Sequence, residues 1–242
     1  MASLEHPAPS DCVFIHGAGG NSLLWKRTLS FLSGEGTAIA VNLPGHPSGE
    51  VTCKSAADYS EAVHSFIAER GIRKPAVCGH SMGGAIALTL ALDHPEDLGS
   101  LILVDTGAKL GVNPELVEGL RDQPLRAIEK MITPWSFHSL SLDAAREGRT
   151  ALSISNLPVF LNDYLACDGF DVRARLPQIA ARTLIICGES DRMTFPRWSH
   201  FMRANILASS AFFIRDAGHM VPLEKPQLCA QLIQSFLSGP SR

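Results

Sequence analysis

Gly79-His80-Ser81-Met82-Gly83 is the stretch that decides how this chain is read. A short apolar run, Pro75-Ala76-Val77-Cys78, leads into it, and Gly84-Ala85-Ile86-Ala87-Leu88-Thr89-Leu90-Ala91-Leu92 follows with the composition of a helix. Gly-x-Ser-x-Gly between a strand and a helix predicts a nucleophile elbow. The turn is so tight that flanking side chains would collide, and the strained serine lifts its Oγ above the sheet. The first amides of the helix, with the positive end of its dipole behind them, face the same spot. Such a place can attack a carbonyl and hold the resulting oxyanion. The pentapeptide alone also fits a glycine-rich turn with a solvated serine, so its weight depends on its company.

Three further pieces accompany it. Cys12-Val13-Phe14-Ile15 reads as a buried strand ending in His16-Gly17-Ala18-Gly19-Gly20, a loop of the kind that supplies a second oxyanion amide. The expected donors are the backbone N–H groups of Ala18 and Met82. The rival reading, a dinucleotide loop, is disfavoured because the third glycine of G-x-G-x-x-G is missing and the next strand, Ala38-Ile39-Ala40-Val41-Asn42, does not end in an acid. Asp191 follows the strand Thr183-Leu184-Ile185-Ile186-Cys187, where a carboxylate could orient a histidine; Asp105, at the end of Leu101-Ile102-Leu103-Val104, and Glu189 are its rivals. His219 follows a last strand, Ala211-Phe212-Phe213-Ile214, completing the chain order serine, acid, histidine. His16 and His80 are expected to shape the walls of the site, and His6, His64, His94, His138 and His200 to lie at the surface or cap helices.

With these motifs and Asn42-Leu43-Pro44-Gly45-His46 in view, the chain resembles an α/β-hydrolase over nearly its whole length, and in size the smaller serine carboxylesterase-like members. The resemblance implies a mostly parallel sheet of about six strands flanked by helices, with a helical lid insertion. It departs from the family at Asn42, where aspartate is usual, and at Pro47, where glycine is usual. The first recognisable strand begins near Asp11, leaving no room for the usual N-terminal hairpin.

A chain of 242 residues, 45% apolar and 19% charged, suits one α/β domain with a substantial core. The net charge of −3 gives no reason to expect nucleic acid or an anionic membrane as partner. No signal-peptide layout or spanning apolar run is present, and the six scattered cysteines form no Cys-x-x-Cys pair, so reduced thiols and a cytoplasmic location are expected. No pattern calls for a metal or cofactor. Ser55 is placed to cap a helix burying Tyr59, Ala62, Val63, Phe66 and Ile67, and Pro226 to open one burying Leu228, Cys229, Leu232, Ile233 and Phe236.

Alternation of strand and helix fails between residues 107 and 171, a stretch broken by Pro114, Pro124, Pro134 and Pro158. Residues 1–106 and 172–242 then form the core, and 107–171 the lid that the resemblance implies. Within the lid Met131, Trp135, Phe137, Phe160, Leu161 and Tyr164 either line an acyl or alcohol pocket or pack the lid onto the core. The candidate site is catalytic Ser81, Asp191 and His219, the amides of Ala18 and Met82, and substrate contacts from Gly17, His80, Trp135, Phe137 and Met220. The expected reaction is cleavage of a small or medium carboxylic ester through an acyl-enzyme. C–C hydrolysis, lyase chemistry and cofactor-free perhydrolysis share the same triad, and a hydrolase-fold receptor with little turnover would share the motifs. Met220 after the histidine disfavours hydroxynitrile lyase chemistry, and a serine rather than a carboxylate at position 81 disfavours epoxide and haloalkane hydrolysis.

Overall fold

The computed structural model describes residues 1–139, 146, 148, 150–151 and 156–239; the rest of the expected lid lies outside the described residues. The strands are β1 (Ser3–Ala8), β2 (Cys12–Ile15), β3 (Gly36–Val41), β4 (Ala76–His80), β5 (Ser100–Val104), β6 (Arg182–Gly188) and β7 (Ser209–Ile214). They form one seven-stranded sheet in the order β1-β3-β2-β4-β5-β6-β7. Strands β2 to β7 run parallel, and β1 pairs antiparallel with β3, Ser3 opposite Val41 and Ala8 opposite Gly36.

Strand β1 corrects the expectation that the N-terminus had no room for another strand. It was illegible because Ser3-Leu4-Glu5-His6-Pro7-Ala8 lies at the edge, half exposed, where proline is tolerated and no apolar run is required. The inner strands are apolar throughout because helices cover both faces. Alternate residues feed two separate cores: Val13, Ile15, Leu101 and Leu103 pack on one side, Phe14, Cys78, Ile102 and Val104 on the other.

The longer helices are α1 (Ala56–Glu69), α2 (Met82–Asp93), α3 (Pro114–Asp122), α4 (Leu157–Asp168), α5 (Pro196–Asn205) and α6 (Pro226–Ser238). Helix α1 starts at Ser55, whose Oγ accepts the Asp58 N–H at 3.1 Å, and buries Tyr59, Val63, Phe66 and Ile67. In α6 the buried stripe is turned from the expected one. Cys229, Ala230, Ile233 and Leu237 face inward, Leu228 is exposed, and Phe236 sits at the margin beneath the Arg182 guanidinium. All six cysteines are buried free thiols. Among the described residues no helix is long and apolar enough to cross a membrane.

The segment between β5 and β6 leaves and rejoins the sheet through a pinched neck. Val172 N–H donates to the Ala108 carbonyl at 2.8 Å, Leu110 N–H to the Phe170 carbonyl at 3.3 Å, and Lys109 bridges to Asp171. Beyond the neck, Leu116, Leu120, Ile128, Ile132, Phe160 and Tyr164 form a small apolar cluster of their own.

Candidate active site

Ser81 sits between β4 and α2 at φ 52° and ψ −117°, a conformation that costs a non-glycine residue about 1–3 kcal/mol and persists only where its surroundings hold it. They do so here through the Ser81 N–H, which donates to the Val104 carbonyl at 3.0 Å, and the Ser81 carbonyl, which accepts from Thr106 Oγ1 at 2.7 Å. A Cβ on Gly79 would strike the Gly83 carbonyl, and one on Gly83 the Ile15 carbonyl. Both flanking glycines are therefore required by close approach of backbone.

The His16–Gly20 loop stands beside this elbow. Leu43 N–H donates to His16 Nε2 at 3.1 Å, so the ring proton is on Nδ1, which donates to the Gly17 carbonyl at 2.8 Å. Burial, and then the neighbouring His46, lower the His16 pKa to about 3, in keeping with that neutral tautomer. The N–H groups of Ala18 and Met82 make no hydrogen bond to another described residue, and Ala18 faces the cavity above the serine. Gly19, at φ 63°, has no space for a Cβ against the Phe160 ring, and its N–H donates to Asp163 Oδ2 at 2.8 Å.

Asp163 was not among the residues singled out from the sequence. Fully buried in α4, it accepts from Gly19 N–H, from His46 Nε2 at 2.8 Å and from the Tyr59 hydroxyl at 2.7 Å. The histidine that closes the Asn42–His46 motif thus stands against a carboxylate of the β5–β6 segment. A polar residue inside the apolar face of a predicted helix was the one available signal.

His219 Nδ1 lies 2.9 Å from Asp191 Oδ2. The other oxygen of Asp191 accepts the Met193 and Thr194 N–H groups at 2.8 and 2.9 Å, and Thr194 Oγ1 donates to Oδ2 at 2.8 Å. Burial pushes the Asp191 pKa up, but His219, the Thr194 hydroxyl and the Thr194 amide together bring it below the ordinary carboxylate value. The His219 backbone is clamped as well: its N–H donates to the Ser136 carbonyl at 2.8 Å, and its carbonyl accepts from His80 Nε2 at 2.8 Å. His80 is neutral, its pKa lowered to about 3 by burial and then by His219. No hydrogen bond joins His219 Nε2 to Ser81 Oγ, but both residues line one cavity, and such contacts often tighten only around substrate.

Asp105, the rival acid, faces elsewhere. It accepts the Gly188 and Val221 N–H groups at 2.9 and 3.0 Å, and burial, then the charge of Asp191, raise its pKa well above the usual range. Glu189 is exposed. The cavity over Ser81 has a volume of about 570 Å³. Gly17, His80, Trp135, Tyr164 and Met220 line it, whereas Phe137 packs against the core cluster that contains Phe14, Cys78 and Ile102 and is absent from the lining. Met131, Phe160 and Leu161 belong to the small cluster beyond the neck.

The sequence profile of the Alpha/beta hydrolase family matches residues 12–232. The chain is 28% identical over 244 residues to the pimeloyl-[acyl-carrier protein] methyl ester esterase of Neisseria meningitidis serogroup B, covering 94% of this chain and 93% of the relative. It is 28% identical over 245 residues to the 2-hydroxy-6-oxo-6-phenylhexa-2,4-dienoate hydrolase of Burkholderia cepacia, covering 92% and 84%. Among solved structures a thermophilic esterase superposes with a TM-score of 0.85 at 30% identity, covering 97% of this chain and 92% of that one.

Proposed function

The chain belongs to the alpha/beta hydrolase family, and from that premise we propose that it is a serine hydrolase cleaving carboxylic esters of small or medium acyl groups. The observation that carries the reading is the 2.9 Å contact of Asp191 with His219 Nδ1, at a cavity that His219 shares with Ser81. That contact holds the proton on Nδ1 and leaves Nε2 basic, without a partner among the described residues.

A serine hydroxyl is a poor nucleophile at neutral pH, so His219 Nε2 takes its proton as Oγ attacks the ester carbonyl. Asp191, kept ionised by its amide and hydroxyl donors, stabilises the imidazolium that forms. The amides of Ala18 and Met82, without a partner among the described residues, hold the oxyanion, each worth about 3–4 kcal/mol of barrier. His219 returns the proton to the departing alcohol, and water releases the acyl group by the same steps. The segment 107–171 acts as the lid, its Trp135 and Tyr164 closing the apolar side of the cavity.

Turnover of a chain-length series of nitrophenyl esters, run beside labelling by a fluorophosphonate, tests this. The wild type is expected to turn over short and medium chains and to label at Ser81; Ser81→Ala is expected to fold normally and do neither. Normal turnover by that variant would sink the assignment. Likeness to the dienoate hydrolase favours one second reading, C–C cleavage on the same triad, and turnover of that relative's named substrate in preference to esters would select it.

A further inference from the structure

The cavity over Ser81 is walled by apolar and uncharged polar side chains. Apart from its histidines, the only side chains among the described lining residues that carry a charge near neutral pH are Lys109 and Arg192, both cations; burial raises the pKa of Tyr164 and of Cys167 and keeps them neutral. Their charges are poorly compensated. Lys109 Nζ is 3.8 Å from Asp171, but Arg173 already holds that carboxylate through two hydrogen bonds of 2.6 and 2.8 Å, which lower its pKa to about 2. Arg192 is exposed and makes no ion pair with a described residue; the neighbouring Asp191 is turned inward onto His219 and Thr194. Asp168, near the same rim, accepts the Val112 N–H. Nor is this cationic mouth a by-product of composition, since the chain has 24 acidic against 21 basic residues.

An anion gains nothing from the apolar walls and loses hydration there. A pair of weakly compensated cations at the mouth instead offers charge-assisted hydrogen bonds and draws anions in from solution. We infer that the substrate carries an anionic group, tested here as a carboxylate, remote from the bond that is cleaved, and that Lys109 and Arg192 bind it. The inference rests on the hydrolase reading of this cavity and names its substrate class.

The experiment pairs each neutral ester with a carboxylated counterpart of equal length. On the acyl side methyl hexanoate is set against monomethyl adipate, and on the alcohol side butyl butyrate against 3-carboxypropyl butyrate. At low ionic strength at least one carboxylated member is expected to have about tenfold higher kcat/KM, carried mainly by KM and shrinking at high salt. In the double variant Lys109→Glu, Arg192→Glu the preference is expected to reverse. The ratio is read within each preparation, so partial loss of folded protein does not move it. Turnover of the neutral esters with no carboxylate preference overturns the inference and leaves the hydrolase reading intact. A preference that survives charge reversal overturns the assignment to Lys109 and Arg192. Absence of turnover on all four, with no fluorophosphonate labelling of Ser81, removes both readings together.

Discussion

The carboxylate that serves His219 shows how a single residue is chosen. Asp105 and Asp191 each follow a parallel strand, and both are almost wholly buried, so chain position could not separate them. What separates them is who faces whom: Asp105 spends both oxygens on the amides of Gly188 and Val221, while Asp191 meets the imidazole. Replacing Asp191 by Asn is expected to lower kcat by about 10⁴-fold, because the amide favours the wrong imidazole tautomer. Asp105→Asn instead sets an NH₂ against one of two N–H donors and is expected to cost about 1–3 kcal/mol of stability. Steady-state kinetics and urea unfolding of both variants check the division of labour. A large kcat loss in the Asp105 variant, with near-normal kcat in the Asp191 variant, would exchange their roles. Strain was legible at Ser81 because a five-residue motif encodes it, and Asp191 as a candidate partner for His219 because of its place after a strand; the amides that hold Asp105 were not, because hydrogen bonds spanning 83 and 116 residues leave no local trace.

At the scale of elements, the inner strands were readable because burial on both faces demands uninterrupted apolar runs, and α1 because its cap and stripe agree. The edge strand β1 and the register of the α6 stripe escaped, since an exposed edge needs no pattern and adjacent helical faces overlap in sequence. The least legible feature is how α4 is tied down. Asp163 joins it to the loop after β3 through His46, to α1 through Tyr59 and to the His16–Gly20 loop through Gly19. Removing a buried acceptor leaves its donors unsatisfied, at a typical cost of about 1–3 kcal/mol. Asp163→Ala is therefore expected to destabilise by that amount, and a double-mutant cycle with His46→Ala to show a coupling of about 1–3 kcal/mol. Additive losses in urea titrations would mean that the two side chains merely lie near each other. Activity toward nitrophenyl esters should fall in the same variant, because the Gly19 amide loses the acceptor that fixes the loop carrying Ala18.

For the whole molecule the buried histidines set the dependence of stability on acid. His16 and His80 have folded pKa values of about 3 against 6.5 for an ordinary histidine. Both rings stay neutral in the fold and take up a proton below pH 6.5 once the chain unfolds. Their stabilisation is therefore whole above pH 6.5 and is lost as pH falls from there toward 3. Asp105 acts in the opposite sense: its raised pKa lets the folded state hold a proton that the unfolded chain releases, so its contribution weakens as pH rises. Two protons gained on unfolding against at most one released leaves a net uptake of about one or more. Stability should thus fall by at least about 1.4 kcal/mol per pH unit near pH 5, against a total for a domain of about 5–15 kcal/mol. Urea midpoints measured between neutrality and pH 5 give that slope directly. His80→Gln, which keeps a side-chain donor for the His219 carbonyl, should reduce the slope by about one proton's worth. A wild-type stability that is flat or rises over this range, or a slope untouched by the substitution, would show that the rings are protonated inside the fold.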